Sequence, residues 1–194
     1  MEDGAALRLA LDLVHIPWRV KVVRSEPLPD GVPLLLRIAA GETDAQVLAA
    51  RMVDRSHDVV LEAAAFFIEQ ILLCPGADSY RALGTTPAAT SAELRRNMAW
   101  LMAWLHPDVA REGEQSVFVA RVTRAWNELK TPDRRAAYDA MLRATPSHSV
   151  RDGRTRLRGD QRRGSRFVTR RPPPGAPMGR LGRVLSILFG WRSL

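Results

Sequence analysis

The chain has 194 residues, of which 46% are hydrophobic and 26% are charged, and its formal net charge is +8. This hydrophobic content excludes a chain that is disordered throughout, and the length allows one or two small globular units with tails. Cys74 is the only cysteine, which excludes an intramolecular disulfide and a zinc site built from several cysteines.

The first residues do not resemble a secretion signal. Residues 1–17 lack a basic start followed by an apolar core and a small-residue cleavage site. No apolar run reaches the length that spans a bilayer. We therefore expect a cytoplasmic protein, peripheral at a membrane only if its C-terminal helix adsorbs there.

Residues 1–75 are predicted to form a small, mostly helical unit of no recognised family. Residues 17–24 are rich in Val and favour a short extended stretch, which the turn cluster at residues 27–33 ends. A short helix at residues 33–40 should follow, because Gly41 behind it is a typical helix stop.

Two further helices are predicted in this unit. Thr43 and Gln46 fit a capping box, in which side-chain groups satisfy the unpaired amides of a helix start. Residues 58–73 carry a broad apolar face that needs a partner surface, and residues 74–76 end it. The residues of that face are Val59, Val60, Ala63, Ala64, Phe67, Ile68, Ile71 and Leu72.

A metal or acid–base site in this unit is not supported by the sequence. His57, Asp58 and Glu62 are neighbours, but their spacing does not match a zinc motif such as H-E-x-x-H. Phosphate-cradling and nucleophile-elbow motifs are missing as well. We expect a solvated helix face with no catalytic residue, cofactor or metal. The unit would bind clients or partners, or pack on the rest of the chain.

A strong helical pattern occupies residues 90–105. Thr90 and Glu93 form a capping box, so a helix should begin near Ser91. Apolar residues then recur at three- and four-residue spacing, which makes one buried stripe. These residues are Leu94, Met98, Leu101 and Leu105. The tripeptide His106-Pro107-Asp108 follows, and its Pro ends the helix.

A second helix with the same periodicity is predicted downstream. Its apolar residues are Phe118, Val122, Ala125, Trp126 and Leu129. The two helices can pack their stripes together as an antiparallel hairpin, with residues 106–108 at its turn. Thr131 is then a predicted N-cap with Pro132 at the first helical position, and residues 133–142 continue as a short helix.

Residues 78–142 resemble the J domain of the DnaJ family of co-chaperones. Asp78-Ser79-Tyr80-Arg81-Ala82-Leu83-Gly84 is similar to the family's opening D-Y-Y-x-x-L-G, and the spacing from Gly84 to His106 is the family's usual one. Ala89-Thr90 and Glu93-Leu94 fit A-S-x-x-E-I, and the second helix fits F-x-x-I-x-x-A-Y-x-x-L. Arg134-Arg135-Ala136-Ala137-Tyr138-Asp139 resembles the closing K-R-x-x-Y-D. The expected fold is mainly α, with a J-like domain at residues 76–144.

The resemblance implies docking on a DnaK-type ATPase chaperone and stimulation of its ATP hydrolysis, without catalysis by the J domain itself. Asp108 would accept charge-assisted hydrogen bonds from an Arg of the partner. Pro107 would stiffen the tip, and His106 would orient the loop or donate a hydrogen bond. Arg95 and Arg96 keep part of the basic face that the family commonly presents before the tip.

Ala99, Trp100 and Trp104 stand where the family commonly has basic residues. The two Trp residues are four apart and share a helix face offset from the buried stripe. In one interpretation the N-terminal segment or the C-terminal tail covers them; in the other they are accessory contacts on a more hydrophobic docking face. The weakened basic face also leaves a second function open, a degenerate J-like scaffold or regulatory adaptor.

The positive charge is concentrated near the C-terminus. Residues 150–194 contain 12 Arg against Asp152 and Asp160, a net charge of +10, so the rest of the chain carries −2. Residues 145–177 are rich in Arg, Gly, Ser and Pro and are predicted to form a disordered linker. Its charge suits weak contact with nucleic acid or an anionic membrane, without sequence recognition.

Residues 178–194 are predicted to form a short amphipathic helix. Leu181, Val184, Leu185 and Leu188 fall on one side, and Arg180 and Arg183 on another. Glycines at three positions weaken this helix in isolation, so it should form on a surface. An anionic membrane and a groove on a folded partner, including the tryptophan-bearing face of this protein, are both candidates.

Overall fold

The computed structural model describes residues 4–106 and 115–144, and all regular structure in these residues is helical. The helices are α1 (Ala5–His15), α2 (Val20–Val23), α3 (Val32–Ala39), α4 (Thr43–Val53), α5 (His57–Phe67), α6 (Ser79–Ala82), α7 (Ser91–Trp104), α8 (Gln115–Leu129) and α9 (Pro132–Ala144). A 3₁₀ turn (Pro17–Arg19) precedes α2, and a π-helical turn (Ile68–Leu72) extends α5. The predicted mainly α fold is confirmed.

Two predictions for the C-terminus, the linker at residues 145–177 and the amphipathic helix at 178–194, lie outside the described residues.

Helix α3 is the centre of the N-terminal segment, by which we mean residues 4–75. Gly31, with φ 91°, turns the chain into this helix, and Pro33 in the first turn lacks an amide that would have no helical partner. Most of the helix is buried. It packs against α1, α4, α5 and α7, so it joins the N-terminal helices to the helix that precedes the tripeptide.

Helix α5 and its π-helical extension confirm the apolar face predicted for residues 58–73. Of the eight residues of that face, all except Val59 are buried. The face packs against α1, α3 and α4. The wider π turn changes the angle between successive side chains, so residues that would leave the stripe of a regular helix stay in the core.

The extended stretch predicted at residues 17–24 is wrong, because the chain there is helical. Pro17 begins the 3₁₀ turn, a position that tolerates its missing amide. Val20 and Val23 are both buried, one helical turn apart, whereas a strand would turn them to opposite faces. Among the described residues no strand is present to pair with this stretch. Val20 and Val23 are therefore buried by packing of a helical turn against the core.

The capping box predicted at Thr43 and Gln46 is also wrong. The N-cap of α4 is Glu42, and Thr43 is already the first helical residue, with no side-chain cap. The side-chain amide of Gln46 instead donates to the carbonyl of Ile38 at 3.2 Å, across the turn between α3 and α4.

The capping box at the start of α7 is confirmed. The Thr90 hydroxyl accepts from the Glu93 amide at 3.2 Å, and the Glu93 carboxylate accepts from the Thr90 amide at 2.6 Å. Thr90 has extended backbone angles, as expected of an N-cap, and Ser91 is the first helical residue. The start of this helix is therefore specified by four adjacent residues.

Helices α7 and α8 pack against each other as the apolar stripes predict. Leu94, Leu101 and Leu105 are buried on the α7 side. Val122, Ala125 and Leu129 are buried on the α8 side. The rings of Trp104, near the end of α7, and Phe118, near the start of α8, lie 6.2 Å apart, as expected for an antiparallel hairpin. Helix α9 begins at Pro132, as predicted, and packs against α8.

Candidate partner-docking site

His106 lies two residues after the end of α7 and is exposed. Its amide donates to the carbonyl of Ala103 at 3.2 Å, which continues the last helical turn. Leu105 beside it is buried, and its amide donates to Leu101 at 3.0 Å. The first residue of the predicted tip is therefore placed by a helix end that is anchored in the core. Pro107 and Asp108 lie outside the described residues, and their roles stay predictions.

The exposed side of α7 is an outer stripe that runs into His106. Its residues are Arg95, Arg96, Ala99, Met102, Ala103 and His106, all exposed and at three- and four-residue spacing. The two Arg residues predicted to contact the partner are at its far end, about 15 Å from His106 along the helix axis. The stripe between them and the tip is uncharged.

Trp100 is half-buried and contacts the N-terminal segment. Its indole Nε1 donates to Glu42 Oε1 at 2.7 Å, and the second oxygen of this carboxylate accepts from Arg37 Nε at 2.7 Å. The Arg37 hydrogen bond is the main cause of the lowered pKa of Glu42, and the Trp100 bond acts in the same direction against the opposing effect of burial. The N-terminal segment, one of the two covers considered for this residue, therefore contacts Trp100, which stays partly exposed.

Trp104 is also half-buried, but the contact that the structure gives it comes from α8. Its ring lies against Phe118 with an interplanar angle of 38°. Both Trp residues pack against the hydrophobic core, which favours the structural interpretation of this face over the accessory docking contact.

Asn97 holds α7 to the residues before it, and sequence reasoning missed this role. The side chain is buried with a relative exposure of 2%, and its amide nitrogen donates to the carbonyls of Leu83 at 2.9 Å and Gly84 at 3.3 Å. A polar residue between Leu94 and Leu101 in an apolar stripe was the available signal.

The closing motif of the J-like segment joins α9 to α6. The Tyr80 hydroxyl donates to Asp139 at 2.6 Å and accepts from Arg135 Nε at 3.0 Å. The Tyr138 hydroxyl accepts from the Ser79 amide at 2.7 Å, and the two Tyr rings meet edge to face. Burial, followed by the hydrogen bond to Asp139, raises the pKa of Tyr80. These motif residues are structural, because they hold the first and last helices of the segment together.

Residues 78–139 match the family model of the DnaJ domain.

This match confirms the J-domain resemblance over about a third of the chain. DnaJ domains act as co-chaperones of DnaK-type chaperones and are not themselves enzymes, so the match supports a co-chaperone in this general sense. Comparison with curated proteins found no significant match, and neither did comparison with solved structures.

Within residues 4–106 and 115–144, no group of three or more His, Cys, Asp or Glu side chains is arranged to hold a metal ion. In the same residues, no helix has both the length and the apolar character required to cross a membrane.

Proposed function

We propose that this chain is a J-domain co-chaperone that docks on a DnaK-type chaperone and stimulates its ATP hydrolysis through His106, Pro107 and Asp108. The observation that carries this proposal is the exposed His106 at the end of a capped, core-anchored helix, inside the segment that matches the DnaJ domain. A tip that is held by a rigid helix can be presented to a partner without a large ordering cost.

Each residue of the tip has a physical role in this proposal. Asp108 accepts charge-assisted hydrogen bonds from an Arg of the chaperone, a contact that is strong and geometrically selective. Pro107 fixes one backbone dihedral and so stiffens the tip. His106 orients the tip or donates a hydrogen bond. Arg95 and Arg96 are exposed on the same stripe and would attract an acidic partner surface.

The test is single-turnover ATP hydrolysis by a purified DnaK-type chaperone with increasing concentrations of the full chain. We expect stimulation by the wild type and a loss of at least about tenfold with Asp108→Asn, because the negative charge that strengthens the bond to an Arg of the partner is removed. Asp58→Asn, a change at an exposed carboxylate on α5, is the matched control and should keep full stimulation. Stimulation that is absent from the wild type, or that Asp108→Asn leaves unchanged, rejects the proposal.

A second candidate function is a J-like scaffold or regulatory adaptor that binds without stimulating ATP hydrolysis. The observation that favours it is the uncharged middle of the outer stripe, Ala99, Met102 and Ala103, where a basic face would steer an acidic partner. Binding of the full chain to the chaperone with no change in the hydrolysis rate would select this function. We also propose that the N-terminal segment contacts clients. The C-terminal tail would contact nucleic acid or an anionic membrane.

A further inference from the structure

The turn between α3 and α4 lies against the side of α7 that carries Trp100. Gly41, with φ 88°, forms this turn, and Glu42 follows it as the N-cap of α4. One oxygen of the Glu42 carboxylate accepts from Trp100 on α7, and the other accepts from Arg37 on α3, both at 2.7 Å. A single carboxylate therefore connects three helices.

This connection persists at neutral pH. The hydrogen bond from Arg37 keeps the pKa of Glu42 below its ordinary value, so the carboxylate stays ionised. An ionised acceptor makes a shorter and stronger hydrogen bond with the indole N–H than a neutral one. The side chains of Arg37 and Glu42 are 27% and 39% exposed, so this ion pair is partly accessible to water.

Trp100 lies close to the tip along α7. It precedes His106 by six residues, about 9 Å along the helix axis. The outer stripe faces solvent on one side of the helix, while Trp100 is held on another by the N-terminal segment and Trp104 is packed on α8. The last turns of α7 are thus held from the side by the N-terminal segment and by α8. Glu42 makes the polar contact from the N-terminal segment.

We propose that Glu42 is a positioning residue for chaperone docking, which acts through Trp100 to fix the last turns of α7 and hence the direction of His106. This inference rests on the proposed co-chaperone function. Without the Glu42–Trp100 bond, the fold remains because Leu94, Leu101 and Leu105 stay in the core. The tip then samples more orientations, and the chaperone must order it on binding.

The test is a double-mutant cycle with Trp100→Phe, Glu42→Gln and both changes, in the full chain. The half-saturating concentration for stimulation of ATP hydrolysis should rise about threefold in Trp100→Phe, the size expected for one lost hydrogen bond. It should rise less in Glu42→Gln, because the neutral amide oxygen of Gln is a weaker acceptor than the carboxylate. In the double variant it should rise no further than in Trp100→Phe alone, since Trp100→Phe removes the bond that Glu42→Gln weakens. The maximal rate should stay at the wild-type value, because the tripeptide itself is unchanged.

Matched controls separate the bond from general effects of the substitutions. Trp18→Phe and Glu62→Gln change exposed residues of the same types outside α7, and both should leave the half-saturating concentration unchanged. Glu42→Gln also removes the ion pair between Arg37 and Glu42, so the cycle is repeated at high ionic strength, where this charge effect is screened. The indole N–H resonance of Trp100, assigned by its loss in Trp100→Phe, should shift in Glu42→Gln and show directly that the bond is weakened.

The outcomes distinguish this inference from the function on which it rests. If stimulation depends on Asp108 but the half-saturating concentration is unchanged or lower in the single variants, the positioning role of Glu42 is rejected and the co-chaperone function stands. Additive effects of Trp100→Phe and Glu42→Gln reject it as well, because the residues then act independently. If the wild type gives no stimulation, both proposals fail.

Discussion

At the scale of single residues, the buried Asn97 side chain holds α7 to the residues that follow α6. It and Ser79 are the polar residues buried among those that the structure describes. The Asn97 amide donates to two backbone carbonyls that lie 13 and 14 positions earlier in the chain. Carbonyls at the end of α6 would otherwise be buried without a partner, which is costly in a protein interior. One side chain thus anchors α7 and supplies a hydrogen-bond donor to the carbonyls that follow α6.

Asn97→Ala should lower the free energy of unfolding by about 1–3 kcal/mol, because it leaves buried carbonyls without a donor. Urea unfolding followed by circular dichroism measures this change. Asn127→Ala is the matched control, since the Asn127 side chain accepts only an exposed bond from Lys130. Asn127→Ala should lower the free energy of unfolding by about 0.5 kcal/mol or less. Equal losses in the two variants would show that the buried amide has no special role.

At the scale of elements, α7 combines a locally specified start with an end that the core holds. Thr90 and Glu93 satisfy the first amides through adjacent residues, and Leu105 buries the last turn before His106. The hydrogen bond from the Thr90 amide, followed by that from its hydroxyl, lowers the pKa of Glu93. Because the folded state binds this proton less tightly than the unfolded chain, the stabilisation by Glu93 is present above the ordinary Glu pKa and is lost as the pH falls.

Thr90→Ala should destabilise the protein by about 1 kcal/mol at neutral pH, the usual cost of removing an N-cap hydroxyl. The difference in the free energy of unfolding between Thr90→Ala and the wild type should become smaller as the pH falls below the ordinary Glu pKa of about 4.3, because Glu93 then becomes protonated in both proteins. Urea unfolding at a series of pH values measures both effects. Thr90→Ser, which keeps the hydroxyl, should restore most of the stability at neutral pH. If the loss of stability in Thr90→Ala did not depend on pH, the hydrogen bonds from Thr90 to the Glu93 carboxylate would contribute nothing to the cap.

At the scale of the whole described molecule, the N-terminal segment and the J-like segment share one hydrophobic core. The backbone at Gly84 approaches α3 so closely that an added Cβ would lie 2.9 Å from Val32 Cγ1. The same atom would be 3.4 Å from both Leu36 and Leu72, and φ at Gly84 is 64°. Arg121 of α8 donates in turn to the carbonyl of Leu73. The J-like hairpin therefore packs on residues that precede it in the chain.

A fragment of residues 76–144 should be much less stable than one of residues 1–144. Separation exposes buried residues of α7 and its neighbours that pack against α3, and each large apolar side chain contributes about 1.5–3 kcal/mol through burial. Thermal unfolding and the dispersion of amide resonances compare the two fragments. Equal unfolding midpoints would show that the J-like segment folds independently and that the shared core is dispensable.

Local patterns in the sequence predicted the elements whose stabilising partners lie within a few residues. The Thr90–Glu93 cap, the apolar stripe of α7 and the start of α9 at Pro132 are of this kind, and all are confirmed. The motifs that resemble the DnaJ domain were recognisable for the same reason, because their residue types and spacing are read along the chain. The predictions failed at residues 17–24 and at Thr43, where β-branched composition and a capping pattern were overridden by packing.

By itself, the sequence determined the mainly helical fold, the capped helix that precedes His106 and the match of residues 78–139 to the DnaJ domain. Only the tertiary structure decided that Trp100 is held by Glu42, that Asn97 is buried on the carbonyls of Leu83 and Gly84, and that α3 packs on α7. The physical reason is the range of the interactions. Helix caps and periodic apolar faces depend on neighbours in sequence, whereas the Glu42–Trp100 bond joins residues 58 positions apart that meet only when the core has formed.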